Sequence, residues 1–309
     1  MIKSDIILDG EYFNWKDMGA NRKVRKAVIP AAGFGTRFLP VTKAQPKEML
    51  PIVDKPIIQY VVEQAVEAGI EEIIIVTGWH KRAIEDHFDR HFELEARLEA
   101  DKKFEQLEEI RRISNLANFI YVRQKEPLGN GHAVLVAKDV VGDEPFLVMW
   151  GDEFFQATPP AACQLISAFE KYNTPVIAGI RIEEQDLSKY GIADVTPVCD
   201  NIFKINEIVE KPGPGQAPSN LATHGSYLFT PDIFGILENL KPGKNGEIWI
   251  ADAIDELIKK RDVYACELKD AKYYDCGSKV SYLKAVVDFG LANASVNGEF
   301  KKYLKSLKI

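Results

Sequence analysis

Cysteine is scarce: four thiols in 309 residues, Cys163, Cys199, Cys266 and Cys276, none in a C-x-x-C pair. That spacing gives no zinc ribbon and no dense disulfide framework. Buried free thiols in a reducing compartment are the expectation, so the chain reads as cytoplasmic. No apolar run is long enough to cross a bilayer, and no basic segment followed by an apolar core opens the sequence. Excess positive charge is also missing: 39 Lys and Arg stand against 46 Asp and Glu, a net charge of −7. Nonspecific nucleic-acid binding is therefore disfavoured, and nothing points to a membrane partner. There is no internal repeat and no low-complexity linker. With 46% hydrophobic and 28% charged residues, the composition is that of an ordinary globular chain able to bury a substantial core.

Against this acidic background, residues 18–47 carry Arg22, Lys23, Arg25, Lys26, Arg37, Lys43 and Lys47 and no acid. The positive charge is local, as a small anionic ligand requires. The group Arg22–Lys26 by itself reads as a solvated lead-in to the first strand. That strand, Lys26–Pro30, breaks into Ala31-Ala32-Gly33-Phe34-Gly35-Thr36-Arg37. Two glycines let backbone approach a ligand closely, and neighbouring amides, those about Thr36 included, can bond phosphate oxygens. Arg37 and Lys47 can neutralise phosphate charge.

Downstream, the chain alternates. Apolar residues at helical spacing run from Ile57 to Ala68, and Glu72–Thr77 is a continuous apolar strand of the kind parallel sheets bury. Residues 81–116 read as one long charged helix or two broken near Phe92. A strand at Phe119–Arg123, a glycine-bearing loop from Gln124 to Gly131, a helix over His132–Lys138 and a strand at Pro145–Trp150 follow. The second half continues less regularly, with helices over Cys163–Tyr172, Asp232–Asn239 and Trp249–Lys260. Strands are expected at Pro175–Ile182, Tyr190–Val195, Ile202–Val209, Ser226–Phe229 and Val263–Glu267, and Tyr273–Gly277 leads to a last helix from Val280. The fold class is α/β, a Rossmann-like mixed, mostly parallel sheet flanked by helices. One domain over 26–290 is expected, with an N-terminal extension (1–25) and a C-terminal helical arm (291–309).

The common nucleotide fingerprints fail. Phe38 stands where a dinucleotide loop would place its third glycine, and no G-K-[ST] follows. His87 and His91 have zinc-ligand spacing, but H-F-D-R-H lacks the glutamate of H-E-x-x-H and reads as helix surface. The acids are more informative. Asp152 follows a buried strand at a glycine, where α/β sheets present ligand-facing groups, and Asp275 sits in another short motif, YYDCG, after an expected strand. Two such carboxylates, brought together, can bind Mg2+ alongside waters and substrate phosphates. Gln124 can donate and accept at once, which suits a pyrimidine edge, with backbone at Ala32, Gly33 and Gly129 beside it.

Taken together, AGFGTR, KAQPKEMLPIVDKPIIQYVVE, HFDRHFELE, VRQKEPLGNGHAV, VVGDEPFLV, YGIADV, IVEKP, PSNLA, GEIWIADAID and YYDCGSK resemble the sugar-1-phosphate nucleotidylyltransferases. Within them the likeness is to the bacterial uridylyltransferases that act on glucose 1-phosphate, and it covers residues 26–298. The resemblance implies UMP transfer from UTP to glucose 1-phosphate, a divalent metal, Mg2+, held by Asp152 and Asp275, and a homodimer or homotetramer. It also implies Lys211 beside the sugar phosphate, Glu210 on sugar hydroxyls, Gly191 with backbone against the sugar, and Glu48 in the nucleotide-side motif. Arg37 and Lys47 would hold the departing pyrophosphate. Three positions depart from the pattern: Glu153 where a second Asp is frequent, Trp249 where Gln is, and Ser226 where Arg is. Trp249 could line the sugar pocket or fill core. A thymidylyltransferase, another hexose-1-phosphate enzyme or a non-catalytic nucleotide-binding regulator are the competing readings. Retention of Arg37, Lys47, Asp152, Lys211 and Asp275 argues against the last.

Overall fold

The computed structural model describes Ile6–Leu8, Glu11–Phe13, residues 23–243 and residues 246–307. Most of the expected N-terminal extension, Arg22 included, lies outside the described residues. Within it, β1 (Ile6–Leu8) and β2 (Glu11–Phe13) pair antiparallel.

β3 (Lys26–Pro30) opens the main sheet. After the glycine loop come the minimal pair β4 (Pro51–Ile52) and β5 (Lys55–Pro56), then α1 (Ile57–Glu67) and β6 (Glu72–Thr77). β3 and β6 are parallel and in register, Ala27 opposite Ile73 and Ile29 opposite Ile75. Their side chains alternate between two cores. Ala27, Ile29, Ile73 and Ile75 meet α1 on one face, and Val28, Ile74 and Val76 enter the cluster on the other. A strand buried on both faces reads as one unbroken apolar run, as EIIIVT does.

Residues 81–116 form three helices, α2 (Arg82–Phe88), α3 (Phe92–Ala100) and α4 (Phe104–Ser114), not one or two. The His91 ring accepts the Leu94 amide and starts α3 afresh, and Lys102 reverses the chain in a left-handed conformation, φ 56°. Glu95 then ties the hairpin together, bonding Arg90 at 2.6 Å and Arg111 at 3.0 Å. The break at Lys102 had no glycine to announce it.

β7 (Asn118–Arg123) adds parallel to β6. α5 (Asn130–Leu135) and α6 (Lys138–Val141) lead to β8 (Phe146–Met149), parallel to β3. A strand absent from the expectation follows, β9 (Glu153–Ala157), whose partner lies far along the chain. Next come α7 (Ala161–Tyr172), β10 (Val176–Arg181), β11 (Gly191–Cys199), β12 (Ile202–Glu210), β13 (Leu221–Phe229), α8 (Asp232–Asn239), α9 (Ile250–Lys260) and β14 (Tyr264–Glu267). β15 (Ala271–Asp275), α10 (Lys279–Ala292) and α11 (Asn297–Ser306) end the described chain.

The nine-stranded sheet runs β10-β14-β12-β11-β13-β8-β3-β6-β7. Its β8-β3-β6-β7 part is parallel, and antiparallel pairing dominates the other part. β13 also pairs with β10, closing that second part on itself. Arg25 and Lys26, expected as a solvated lead-in, are fixed instead: Arg25 bonds Glu144 and Glu72, and buried Lys26 bonds Glu144 and the Val141 carbonyl. These cations anchor the sheet rather than serve a ligand.

Candidate active site

Four parallel strands end at one rim. Beyond β3 lies the glycine loop, beyond β6 Gly78–Lys81, beyond β7 Gln124 and beyond β8 Asp152. In open α/β sheets ligands bind outside the carboxyl ends of the strands. The Ala31 amide still bonds the Val76 carbonyl at 2.8 Å, after which the chain leaves the sheet. Gly33 is exposed, with open space where a Cβ would stand, so its backbone is approachable. Gly35 has φ 65°, and a Cβ there would press on Thr42 and Lys47 at 3.2 Å. Only glycine gives that turn cheaply while Lys47 packs beneath it. Ala32 is half-buried, and Thr36 and Arg37 are exposed at the start of a short 3-10 turn.

Lys47 sits with Nζ 2.5 Å from Oδ2 of Asp152. Burial lowers the Lys47 pKa, but attraction to Asp152, Glu48 and Glu153 outweighs it and the net shift is upward. Lys47 is therefore a cation at neutral pH. Behind it, Glu48 and Lys81 form an ion pair of 2.7 Å with both side chains 1% exposed. Burial pushes Glu48 up and Lys81 down, each partly restored by the other. Glu48 faces Lys81 inside the protein rather than open space.

Asp275 arrives from the far end of the chain because β15 pairs antiparallel with β9, Asp275 opposite Glu153. The Cys276 amide bonds the Asp152 carbonyl at 3.0 Å, and the Gly277 amide bonds Oδ1 of Asp275 at 2.8 Å. A Cβ added at Gly277 would lie 2.9 Å from Oδ1 of Asp275, 3.0 Å from Oδ2 of Asp152 and 3.5 Å from Nη1 of Arg37. Both acids and the arginine thus converge on one point, and Arg37 bonds the Gly277 carbonyl at 3.3 Å. Arg37, Lys47, Asp152 and Asp275 form one cluster.

Gln124 stands at the same rim, its amide bonding the Thr77 carbonyl and its side-chain nitrogen bonding the Gly129 carbonyl at 3.1 Å and the His132 ring at 3.0 Å. Gly129 has φ 102°, and a Cβ there would lie 2.4 Å from the Ile248 carbonyl. Its loop is docked on residues 246–250, with Gly131 and Ile248 hydrogen-bonded at 2.9 Å. Trp249 is neither core nor fully open; it is 37% exposed at the start of α9.

A third group lies on β11 and β12. Gly191 is opposite Glu210, and a Cβ on it would meet a Glu210 oxygen at 3.0 Å. Lys211 follows in a left-handed conformation, φ 48°, rare for a side chain of its kind and more frequent at ligand sites. Lys211 and Glu210 are exposed and pair at 3.3 Å. The Lys211 amide bonds the Tyr190 carbonyl, and Tyr190 lines a cavity of about 640 Å3 together with Asp275. Glu210 and Lys211 do not line that cavity themselves; Tyr190 stands between them and Asp275.

Sequence reasoning passed over the loop after β6. A Cβ added at Gly78 would meet the Ala32 carbonyl at 3.2 Å, and the His80 ring stacks on Phe34 of the glycine loop at 5.3 Å. The position of this loop after a buried parallel strand, the signal that singled out Asp152, was available there too. His87 bonds Gln59 and His91 caps α3; neither belongs to a metal cluster. Among the described residues no group of three or more His, Cys, Asp or Glu could hold a metal. No helix among them is long and apolar enough to cross a membrane.

Residues 26–290 match the model of the nucleotidyl transferase family. A Bacillus subtilis protein named UTP–glucose-1-phosphate uridylyltransferase YngB is 48% identical over 286 residues, 93% of this chain and 96% of that protein. A Staphylococcus saprophyticus protein named UTP–glucose-1-phosphate uridylyltransferase 2 is 49% identical, covering 93% of this chain and 99% of its own. Among solved structures, UTP-bound UGPase from Acinetobacter baumannii superposes with a TM-score of 0.86 at 43% identity, over 93% of this chain and all of that one. A UDP-glucose pyrophosphorylase complexed with UDP-glucose gives 0.80 at 43% identity, over 88% of this chain. The chain belongs to the nucleotidyl transferase family.

Proposed function

We propose that this protein transfers UMP from UTP to glucose 1-phosphate, forming UDP-glucose and releasing pyrophosphate. The observation that carries the reading is the meeting of Arg37, Lys47, Asp152 and Asp275 about Gly277, in a chain with near-full-length relatives named for this reaction. A sugar phosphate is largely ionised at neutral pH, with a second pKa of about 6, so it is already a nucleophile and needs no strong base. Its oxygen attacks the α-phosphorus in line, the bond to the β,γ-diphosphate breaks, and pyrophosphate carries away the electron pair. The protein's work is to bring two anions together and stabilise charge. The glycine loop offers backbone at Ala32, Gly33, Gly35 and Thr36 to the nucleotide, with Gln124 and Gly129 toward the base. Arg37 and Lys47 neutralise the leaving diphosphate, and Glu48 holds the Lys47 turn in place from beneath through Lys81. Lys211 meets the sugar phosphate, and Glu210 and Gly191 meet the sugar.

The carboxylate pair fits a divalent ion. Asp152 and Asp275 both turn a carboxylate oxygen toward Gly277, and the ammonium of Lys47 on Asp152 already answers a demand for positive charge there. Two carboxylates without a third protein ligand suit Mg2+, which keeps waters and takes substrate phosphates. When bound, Mg2+ would neutralise phosphate oxygens of both substrates. A single catalytic domain over 26–290, with 1–25 and 291–309 as appendages, is the organisation we assign. Four free cysteines support a cytoplasmic location, although only Cys266 and Cys276 are buried as expected, Cys163 being half-buried and Cys199 exposed. The exposed Val280, Leu283 and Leu291 along α10 support assembly as a homodimer or homotetramer.

The test is pyrophosphate release with UTP or dTTP against several hexose 1-phosphates, with and without Mg2+. The expected outcome is fastest release from UTP with glucose 1-phosphate and loss of it under chelation. Absence of turnover with every pair overturns the enzymatic reading, and faster turnover with dTTP overturns the donor.

A further inference from the structure

Glu153 is next to Asp152 in sequence, yet its carboxylate is used differently. β9 and β15 form a ribbon of their own, separate from the nine-stranded sheet. Glu153 stands opposite Asp275 in that ribbon, and Tyr273 lies two residues earlier on the same face. The Tyr273 hydroxyl donates to Oε2 of Glu153. The other oxygen, Oε1, lies over Gly225 of β13 beside the Trp150 indole; a Cβ at Gly225 would be 1.7 Å from each. The Tyr273 ring is itself held by the His224 ring at 4.1 Å and by Phe155 at 5.1 Å. Glu153 thus joins the ribbon to itself and to the main sheet, and no other hydrogen bond between side chains of β9 and β15 lies as near the acids. Gln156 with Tyr274, at 3.3 Å, is further along.

We propose that the Glu153–Tyr273 hydrogen bond is a register lock that holds Asp152 and Asp275 side by side for a divalent cation, making Glu153 and Tyr273 positioning residues for that site. The argument rests on the metal assignment made above for Asp152 and Asp275. Register matters here because a one-residue slip in an antiparallel ribbon turns every side chain to the opposite face. It would carry Asp275, and Gly277 with it, away from Asp152. Backbone bonds alone are the same in either register; a side-chain bond specific to one pairing is not. Partners one step removed from metal ligands commonly set metal affinity by about 10–100-fold.

The experiment measures Mn2+ binding to the substrate-free protein by electron paramagnetic resonance, alongside the Mg2+ dependence and UTP KM of pyrophosphate release. Tyr273→Phe keeps the ring and removes only the donor. It should weaken Mn2+ binding by about tenfold and raise the Mg2+ requirement in parallel, with UTP KM at saturating Mg2+ within about twofold of the parent. Glu153→Ala should do the same, and Glu153→Gln, whose amide oxygen still accepts, should stay near the parent. Near-parent Mn2+ affinity in Tyr273→Phe overturns the lock, as does Glu153→Gln weakened as far as Glu153→Ala. Asp152→Asn separates the two layers of the argument. If it loses Mn2+ while Tyr273→Phe does not, the lock alone fails. If Asp152→Asn binds Mn2+ normally, the metal assignment itself fails and the lock with it.

Discussion

Lys47 and Asp152 are paired at 2.5 Å in a half-buried site, and attraction to Asp152 and its neighbouring acids keeps Lys47 a cation. Replacing the acid should remove the cation site but not the fold: Asp152→Asn is expected to abolish turnover, with a melting temperature within a few degrees of the parent. Normal rates in that variant would refute the metal assignment. The pair behind it is different in kind. Glu48 and Lys81 are both buried, and removing one partner leaves an uncompensated charge. Lys81→Met should cost about 3–5 kcal/mol by denaturant unfolding. Asp152, Asp275 and the glycine loop could be singled out from sequence because each closes or follows an apolar strand. Lys81 could not, since nothing local distinguishes it from the solvated lysines of the charged segment it opens. Its burial is imposed by Glu48, which reaches it only in the folded chain.

Elements were legible to different degrees for physical reasons. β6 was read to the residue because a strand buried on both faces has one unbroken apolar run, here bounded by two glutamates and a glycine. The α3–α4 hairpin was not, because its break at Lys102 is a left-handed lysine rather than a glycine. β9 was missed because a strand in a two-stranded ribbon is defined by its partner β15, and Glu153–Ala157 has no period of its own. The loop from Gln124 to Gly131 was recognised as glycine-bearing, but its docking on residues 246–250 was not. That docking is testable at Gly129, where a methyl would meet the Ile248 carbonyl at 2.4 Å in a conformation, φ 102°, that side chains avoid. Gly129→Ala should lower stability by more than about 1 kcal/mol. It should also raise the KM for UTP more than that for glucose 1-phosphate, measured by steady-state pyrophosphate release.

For the whole molecule, the pH response follows from groups the chemistry does not use. His224 is buried on β13 among Tyr190, Tyr273 and Phe155, with neither ring nitrogen hydrogen-bonded, and burial holds its pKa down to about 4. The unfolded chain takes up that proton near the ordinary histidine value of about 6.5, so it binds more protons than the native state between there and about 4. The contribution of His224 to stability should therefore fall as pH drops through this window, by up to about 3 kcal/mol. Asp255 opposes this in part, since burial raises its pKa to about 6 and acid relieves it. His224→Leu should flatten the loss in unfolding free energy between pH 6.5 and 4; an unchanged slope would place the acid sensitivity elsewhere.

The sequence by itself determined the α/β alternation, the glycine loop, the two acids and, through its motifs, the chemistry, because these are written in short apolar runs and in residues adjacent to them. Only the tertiary structure decided what those residues face. It turned Arg25 and Lys26 into anchors on Glu72 and Glu144, buried Glu48 against Lys81, and brought Asp275 to Asp152 across a ribbon whose two strands are far apart in the chain. Periodicity is a property of neighbours along the backbone, whereas a binding site is a property of strand ends that meet only when the sheet has formed.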